Sequence, residues 1–439
     1  MMRHLLHLPA VLLTIGSLIV PSLAHGQATE TVLHHFAGAP TDGAFSSANL
    51  IQAADGNFYG TTRGGGSADA GTIFKMNASG TVTILHNFGV APSDGYTPWS
   101  GVIQGMDGNF YGTTRYGGSG AVHVGTVFKM NQTGTVTIMH SFTDGADGGF
   151  PDTALVQATD GDLYGANTDG GTSGRGIFFK ITTSGTFTIL HNFSDGSVPN
   201  EGFDPNTLIQ ASDGAFYGTT SGGGSAPGGQ GTVFKITSSG SVTILHNFLD
   251  GSVSDDGVSP QSGLVQGNDG NFYGTTSGGG PGSSSLYGTA FKMTPSGSVT
   301  ILHRFSVTND GYHPAASLIQ AADGNFYGTT AQGGSNSWGT VFCCTPTGSE
   351  TVVYNLGATS GDGGFPKSGV VQDSNGYLYG TTSGESIDNL GVIYKLAVPS
   401  IMQKFVSTDT PALPPWALTG LGLVFLLMSA HSLTRKKSA

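Results

Sequence analysis

The chain has 439 residues, 73 of them glycine and only two of them cysteine, with 10% charged residues and a formal charge of −12. Apart from Arg3 near one end and Arg435, Lys436 and Lys437 near the other, it carries 12 basic against 28 acidic residues, which opposes binding to a DNA or RNA backbone. The glycines lack the third-residue period of collagen, and two cysteines cannot build a disulfide framework, so the core has to come from packing.

Residues 1–24 have the pattern of a secretory signal peptide. Arg3 supplies the positive start, Leu8 to Val20 the apolar run, and Ser22-Leu23-Ala24 the small-x-small pattern before a cut. Thr31-Val32-Leu33-His34-His35-Phe36 follows, a strand-like segment standing ahead of the repeats.

From there the chain is organised by one recurring stretch, Asp55-Gly56-Asn57-Phe58-Tyr59-Gly60-Thr61-Thr62. Its tyrosine returns at Tyr111, Tyr164, Tyr217, Tyr273, Tyr327 and Tyr379, a period of about 53 residues that marks one supersecondary unit copied seven times. Each copy reads as four short strands. In the first they are Leu50-Ile51-Gln52, then Asn57 to Thr62 beyond an Asp-Gly turn, then Gly71 to Met76 beyond a glycine cluster, then Thr81 to Phe88. No segment sustains a 3.6-residue apolar period, which excludes helical repeats. Four antiparallel strands in that length make a propeller blade. The fourth strand occurs after each of the first six copies, and the segment at 31–36 is the copy needed to complete the seventh. The expected fold is therefore all-β, a seven-bladed β-propeller of four-stranded antiparallel blades over residues 29–396, with the last blade closed by the N-terminal strand. Ile401 to Phe405 weakly echoes a fourth strand and competes for the same place.

Several polar residues recur with the repeat. Gln52, Gln104, Gln157, Gln210, Gln266, Gln320 and Gln372 end each first strand, where a side-chain amide can bond the next blade or line a central channel. His34, His86, His140, His191, His246 and His303, with Tyr354 in the equivalent slot, fall on outer strands that diverge round a ring, so they read as structural and not as ligands of one ion. Six lysines of the third strands, with Cys343 in the slot of the sixth copy, suit pairing with nearby aspartates. Cys343 and Cys344 are adjacent on a strand and read as two separate thiols. The acids leading from outer to inner strands, Asp94, Asp147, Asp256, Asp310 and Asp362 among them, emerge on one face. They either close their own turns or form a ligand face for a polyhydroxyl polymer or calcium, with Asp144, Asp147 and Asp152 as the densest local calcium candidates. No cofactor is firmly implied.

Residues 397–415 form a linker and proline-rich segment ending in Pro411-Ala412-Leu413-Pro414-Pro415-Trp416. Residues 416–434 form an apolar stretch of transmembrane length, and 435–439 a basic tail that stays cytoplasmic. These three parts resemble the tripartite C-terminal sorting signals of the PEP-CTERM kind, although Pro-Ala-Leu-Pro-Pro-Trp stands where better-known forms have Pro-Glu-Pro. That resemblance implies a sorting protease as partner and a surface fate after processing. The repeat itself resembles the GloVer tandem-repeat family of cyanobacterial and verrucomicrobial proteins, through Asp-Gly-Asn-Phe-Tyr-Gly-Thr-Thr, Gly-Thr-Val-Phe-Lys-Met and Thr-Val-Thr-Ile-Leu-His-Asn-Phe. It brings no established chemistry. The expected function is an exported, membrane- or surface-anchored binding or structural module of the cell envelope, for polysaccharide or surface protein. A glycan lyase or hydrolase acting in the central depression is the alternative, disfavoured because the recurring polar sets lack the asymmetry a catalytic site requires.

Overall fold

The computed structural model describes residues 27–120, 123–279, 287–307, 310–359, 361–384 and 390–405. The leader and the segments from residue 411 onward lie outside them. The four strands of the first blade are Ile51–Gln52, Phe58–Thr62, Thr72–Met76 and Val82–Asn87, paired antiparallel in that order. Six further blades repeat the arrangement, and in the seventh the sheet runs Val371–Gln372, Leu378–Thr381, Val392–Ala397 and then Thr29–His35. The N-terminal strand is antiparallel to Val392–Ala397, with Thr29 opposite Ala397 and His35 opposite Val392. The ring is thus closed by strand pairing between its two ends, as the leading fourth-strand copy implied.

Each residue of the recurring stretch has a distinct packing role. Asp55 caps its own hairpin turn, accepting from the Asn57 amide at 3.0 Å and from the Tyr59 hydroxyl at 2.9 Å. Lys75 on the third strand reaches the same carboxylate at 2.8 Å. Burial pushes the Asp55 carboxyl up, but the Lys75, Asn57 and Tyr59 hydrogen bonds together hold it well below the usual carboxylate range. The ring of Tyr59 is buried against Phe110 of the next blade at 4.1 Å between centroids, and Tyr379 meets Phe58 of the first blade at the same distance across the closing seam. Such aromatic pairs add about 0.5–1.5 kcal/mol each beyond the area they bury. Gly60 is required because a Cβ there would come within 2.6 Å of the Phe74 ring and 2.8 Å of Leu50. Thr61 donates to the Ser100 carbonyl of the next blade at 2.9 Å, and Thr62 bonds Thr72 across its own sheet at 2.8 Å.

The third and outer strands share a β-bulge at one position in every blade, between Ile73 and Phe74 in the first and at Val32/His34 in the last. A bulge bends a strand and increases its twist, which blades radiating from an axis need. Six of the seven glutamines bind blades together. Gln157 accepts from the Met106 amide of the preceding blade at 2.7 Å and donates to the Gly161 carbonyl of its own turn at 2.8 Å. Gln104, Gln210, Gln266, Gln320 and Gln372 accept from the preceding blade in the same way. Gln52 bonds its own turn at Gly56.

The segment from Ile401 to Phe405 departs from its expected strand character: Pro399–Phe405 is an α-helix. The N-terminal strand already fills the outer place of the seventh blade, so this segment packs elsewhere, burying Ile401 completely among Tyr327, Cys343 and Leu378. Among the described residues no helix is long and apolar enough to cross a membrane.

Candidate ligand-binding site

The connections from outer to inner strands gather on one face of the ring. Six of the seven begin with a His–acid pair. His86 Nε2 lies 3.1 Å from Asp94 Oδ2, whose carboxylate also accepts from the amides of Gly89 and Gly95. His140–Asp147, His191–Glu201, His246–Asp256 and His303–Asp310 repeat the pair, and the Tyr354 hydroxyl takes the histidine's part against Asp362 at 2.9 Å. The acids considered for a shared ligand face, Asp94, Asp147, Asp256, Asp310 and Asp362, are therefore turned into their own blades. Asp94, Asp256 and Asp362 are buried. Desolvating an acid is tolerable here because a histidine or tyrosine and backbone amides meet it. The next glycine matters as well: Gly43 pairs with Gly65 of the glycine cluster, and a Cβ on Gly65 (φ +80°) would lie 2.3 Å from the Asp42 carbonyl oxygen.

The three calcium candidates do not face one another. Asp147 is engaged by His140 and Thr143, and Asp152 by Arg115, while Asp144 lines a separate open hollow with Asp169. The seven glutamines, engaged in the bonds described above, line no part of the central cavity.

That cavity, of about 570 Å³, lies where the approach to each inner strand converges on the axis. Its walls are held by polar side chains bridging blades: the Thr219 hydroxyl donates to the Ser262 carbonyl at 2.8 Å, that of Thr329 to the Ser368 carbonyl at 2.8 Å, and the Asn49 amide oxygen accepts from the Gly369 amide at 2.6 Å across the closing seam. One slot dominates its mouth. It follows the recurring proline in six blades and Ser46 in the first, and it holds Ser47, Trp99, Asp152, Asn206, Gln261, Ala315 and Lys367 in the seven blades, all of them lining the cavity. Scaffold positions scarcely vary from blade to blade, yet this position is different in every one.

Trp99 is 37% exposed, with the Arg63 guanidinium 4.8 Å and the Arg115 guanidinium 5.0 Å from its ring centroid. Arg115 also pairs with Asp152. Burial of the Asp152 carboxyl outweighs the Arg115 charge, so its pKa is pushed up to about 6. Asn206 is fixed by bonds to Thr219 Oγ1 at 3.0 Å and to the Pro260 carbonyl at 2.8 Å. The arrangement offers one ring face, one carboxylate, one ammonium and two amides to a common space. The members of this site are the residues that do not recur, so the repeat pattern conceals them; their one sequence mark is the preceding Pro98, Pro151, Pro205, Pro260, Pro314 or Pro366.

Comparison with solved structures shows the fold. Virginiamycin B lyase from Staphylococcus aureus is 15% identical with a TM-score of 0.53, over 84% of this chain and 99% of that one. The extracellular domain of the hybrid two-component system BT4673 from B. thetaiotaomicron is 13% identical with a TM-score of 0.54, over 84% of this chain and 40% of that one. The periplasmic gluconolactonase PpgL of Pseudomonas aeruginosa is similar over 69% of this chain and 83% of that one, at 17% identity and a TM-score of 0.45. No curated protein matches the sequence. The Gloeobacter/Verrucomicrobia repeat matches residues 19–203 and 204–423, nearly the whole length, and the chain belongs to that repeat family.

Proposed function

We propose that this protein is an exported binding module of the cell envelope that holds a saccharide in the central cavity of the propeller. The observation carrying this reading is the slot after the proline, where a near-identical scaffold presents a different side chain in each blade. A cavity of this volume is in the range that takes a small ligand. Trp99 offers a face on which a sugar ring stacks, and Asp152, Asn206 and Gln261 offer the acceptors and donors that hydroxyl groups need. Arg115 and Lys367 make the mouth locally basic in an otherwise acidic body, favouring a sugar that carries a carboxylate over a bare polycation. Binding is preferred to glycoside hydrolysis because Asp152 is the sole acid among the described lining residues, and hydrolysis ordinarily takes two.

The test is a glycan array probed with the detergent-purified full chain, followed by calorimetry on the best hit. Trp99→Ala and Asp152→Asn should each weaken binding at least tenfold without lowering the melting temperature. An empty array, or variants that bind as the wild type does, would overturn the reading.

The anchor belongs to the same proposal. The leader at 1–24 directs export, the apolar stretch at 416–434 holds the body at the inner membrane, and a sorting protease acting near Pro411 passes it to the surface. A chain ending at residue 410 should appear in the soluble exported fraction. Its persistence with membranes would remove the tail as the sole anchor.

A further inference from the structure

We propose that His303, Asp310 and Glu350 form a binding site for a divalent transition-metal ion, zinc in kind, at the seam between the fifth and sixth blades. Their ligand atoms all lie within 4.8 Å of one another. The site arises from a departure in the repeat. Glu350 opens the outer strand of the sixth blade, in a slot that is Val82, Val136, Val242 and Val299 in four other blades and Phe187 in the third. Phe187 shows where that slot points, because its ring lies flat on His140 of the preceding blade, 4.0 Å between centroids and 2° between planes. At the equivalent place in the sixth blade a carboxylate, not a hydrocarbon, faces the His303–Asp310 pair.

That carboxylate is poorly provided for by the protein alone. Glu350 Oε1 is buried without a hydrogen-bond partner. An unpartnered buried oxygen is costly, and a cation shared with the neighbouring imidazole and carboxylate would satisfy it. Asp310 is already oriented by Ser306, whose hydroxyl lies 2.8 Å from Oδ1, leaving Oδ2 towards His303 Nε2 at 2.8 Å. The seventh blade offers an internal comparison. Glu30 occupies the same slot, but the group it faces is Tyr354, whose hydroxyl donates to it at 2.8 Å. Tyrosine there supplies Glu30 Oε2 with a donor, though Glu30 Oε1 is also buried without one, whereas His303 offers a ring nitrogen that binds metal.

One nitrogen and two carboxylate oxygens suit zinc-like ions, and side-chain rotations that draw the three atoms in from their present spread would close the set round one at metal–ligand distances of ~2.0–2.2 Å. Calcium, which takes six to eight oxygens, is the poorer fit to so few ligands with an imidazole among them. The His303 and Asp310 side chains keep 21% and 16% exposure, so the ion can enter from solvent and complete its shell with water. On binding, the proton between His303 and Asp310 leaves to solvent, and Nε2 donates its lone pair to the metal.

The full chain in detergent, stripped with chelator, is titrated with Zn²⁺ by calorimetry and with Co²⁺ by visible absorption. The expected result is one Zn²⁺ per chain with a micromolar or tighter Kd, a raised Tm, and a Co²⁺ band of a mixed nitrogen–oxygen site. Glu350→Val installs the residue of four other blades, so it should fold, lose affinity at least 100-fold and lose the band; Glu350→Gln serves if valine does not fold. His246→Gln, at a seam without the glutamate, should leave binding unchanged. Absence of Zn²⁺ binding in the wild type, or undiminished binding after substitution of Glu350, would overturn the proposal.

Discussion

The hydroxyl of Tyr327 in the sixth blade lies 3.1 Å from the hydroxyl of Ser400 in the C-terminal helix. In the first blade the equivalent tyrosine has Lys75 above it, with its ammonium 2.8 Å from Asp55 and 5.7 Å from the Tyr59 centroid. The sixth blade has Cys343 in place of that lysine, buried, and the helix occupies the room a lysine would need. Replacing the lysine by a small apolar residue is what seats the helix.

Cys343→Lys should therefore pair the new ammonium with Asp323 and expel the helix. Hydrogen exchange at residues 400–405 should accelerate more than tenfold while the Tm of the ring changes little. Unchanged protection there would show that the helix is held by something other than the missing lysine.

Removal of residues 27–35 should lower the stability of the whole ring. Without Thr29–His35, the Val392–Ala397 strand becomes an open edge, and the seam between the sixth and seventh blades loses the apolar cover of Val32. A fall of many degrees in a single thermal transition, with new proteolytic cuts in several blades, is the expected outcome. A cut confined to the terminus, with an unchanged midpoint, would contradict ring closure as the source of stability.

Gln210→Ala breaks two bonds at once, the one from the Thr159 amide of the preceding blade at 2.9 Å and the one to the Gly214 carbonyl at 3.0 Å. A loss of about 1–3 kcal/mol in denaturant unfolding is expected, since one backbone amide is left without its acceptor. Gln52→Ala should cost less, because its described bond runs only to its own turn. Equal losses at the two sites would show that the inter-blade bond contributes nothing.

Stability should fall towards both acid and alkaline pH, for different residues. Burial, reinforced by the neighbouring Asp362 carboxyl, pushes the Glu30 pKa up to about 8, against the lowering effect of the hydrogen bond from the Tyr354 hydroxyl. The folded state thus holds a proton that the unfolded chain releases near the ordinary glutamate value of 4.5, so stability declines as pH rises from there to about 8 and then levels. Asp55, Asp107, Asp213 and Asp269 work oppositely: with folded pKa values held low, they stabilise above the unfolded value and lose that contribution as acid protonates them. Glu30→Gln, which keeps the shape and cannot ionise, should flatten the decline between pH 5 and 8. A slope unchanged by this substitution would remove Glu30 as its source.

The blade, its four strands and the number of copies were legible in the sequence because each depends on local order. An Asp-Gly turn, a two-residue period and a fixed spacing operate within one 53-residue unit, and the copy at 31–36 betrayed closure because it had no partner in its own repeat. The partners of the recurring polar residues were only partly legible. That lysines meet turn aspartates follows from the chain. That each outer-strand histidine meets the acid of the following connection, closing a loop and turning that acid into its own blade, needed the fold. Two features depended on the tertiary structure. Trp99, Asp152, Asn206, Gln261 and Lys367 stand one or two repeats apart and share only a preceding proline, but radial symmetry carries one slot from every blade to the same axis. Glu350 reads along the chain as an ordinary surface acid, and only the stacking of the sixth blade on the fifth turns it towards His303. A repeat determines the scaffold through what recurs; the packing of blades decides where the exceptions meet, because residues brought to one axis or one seam interact through space irrespective of their separation along the chain.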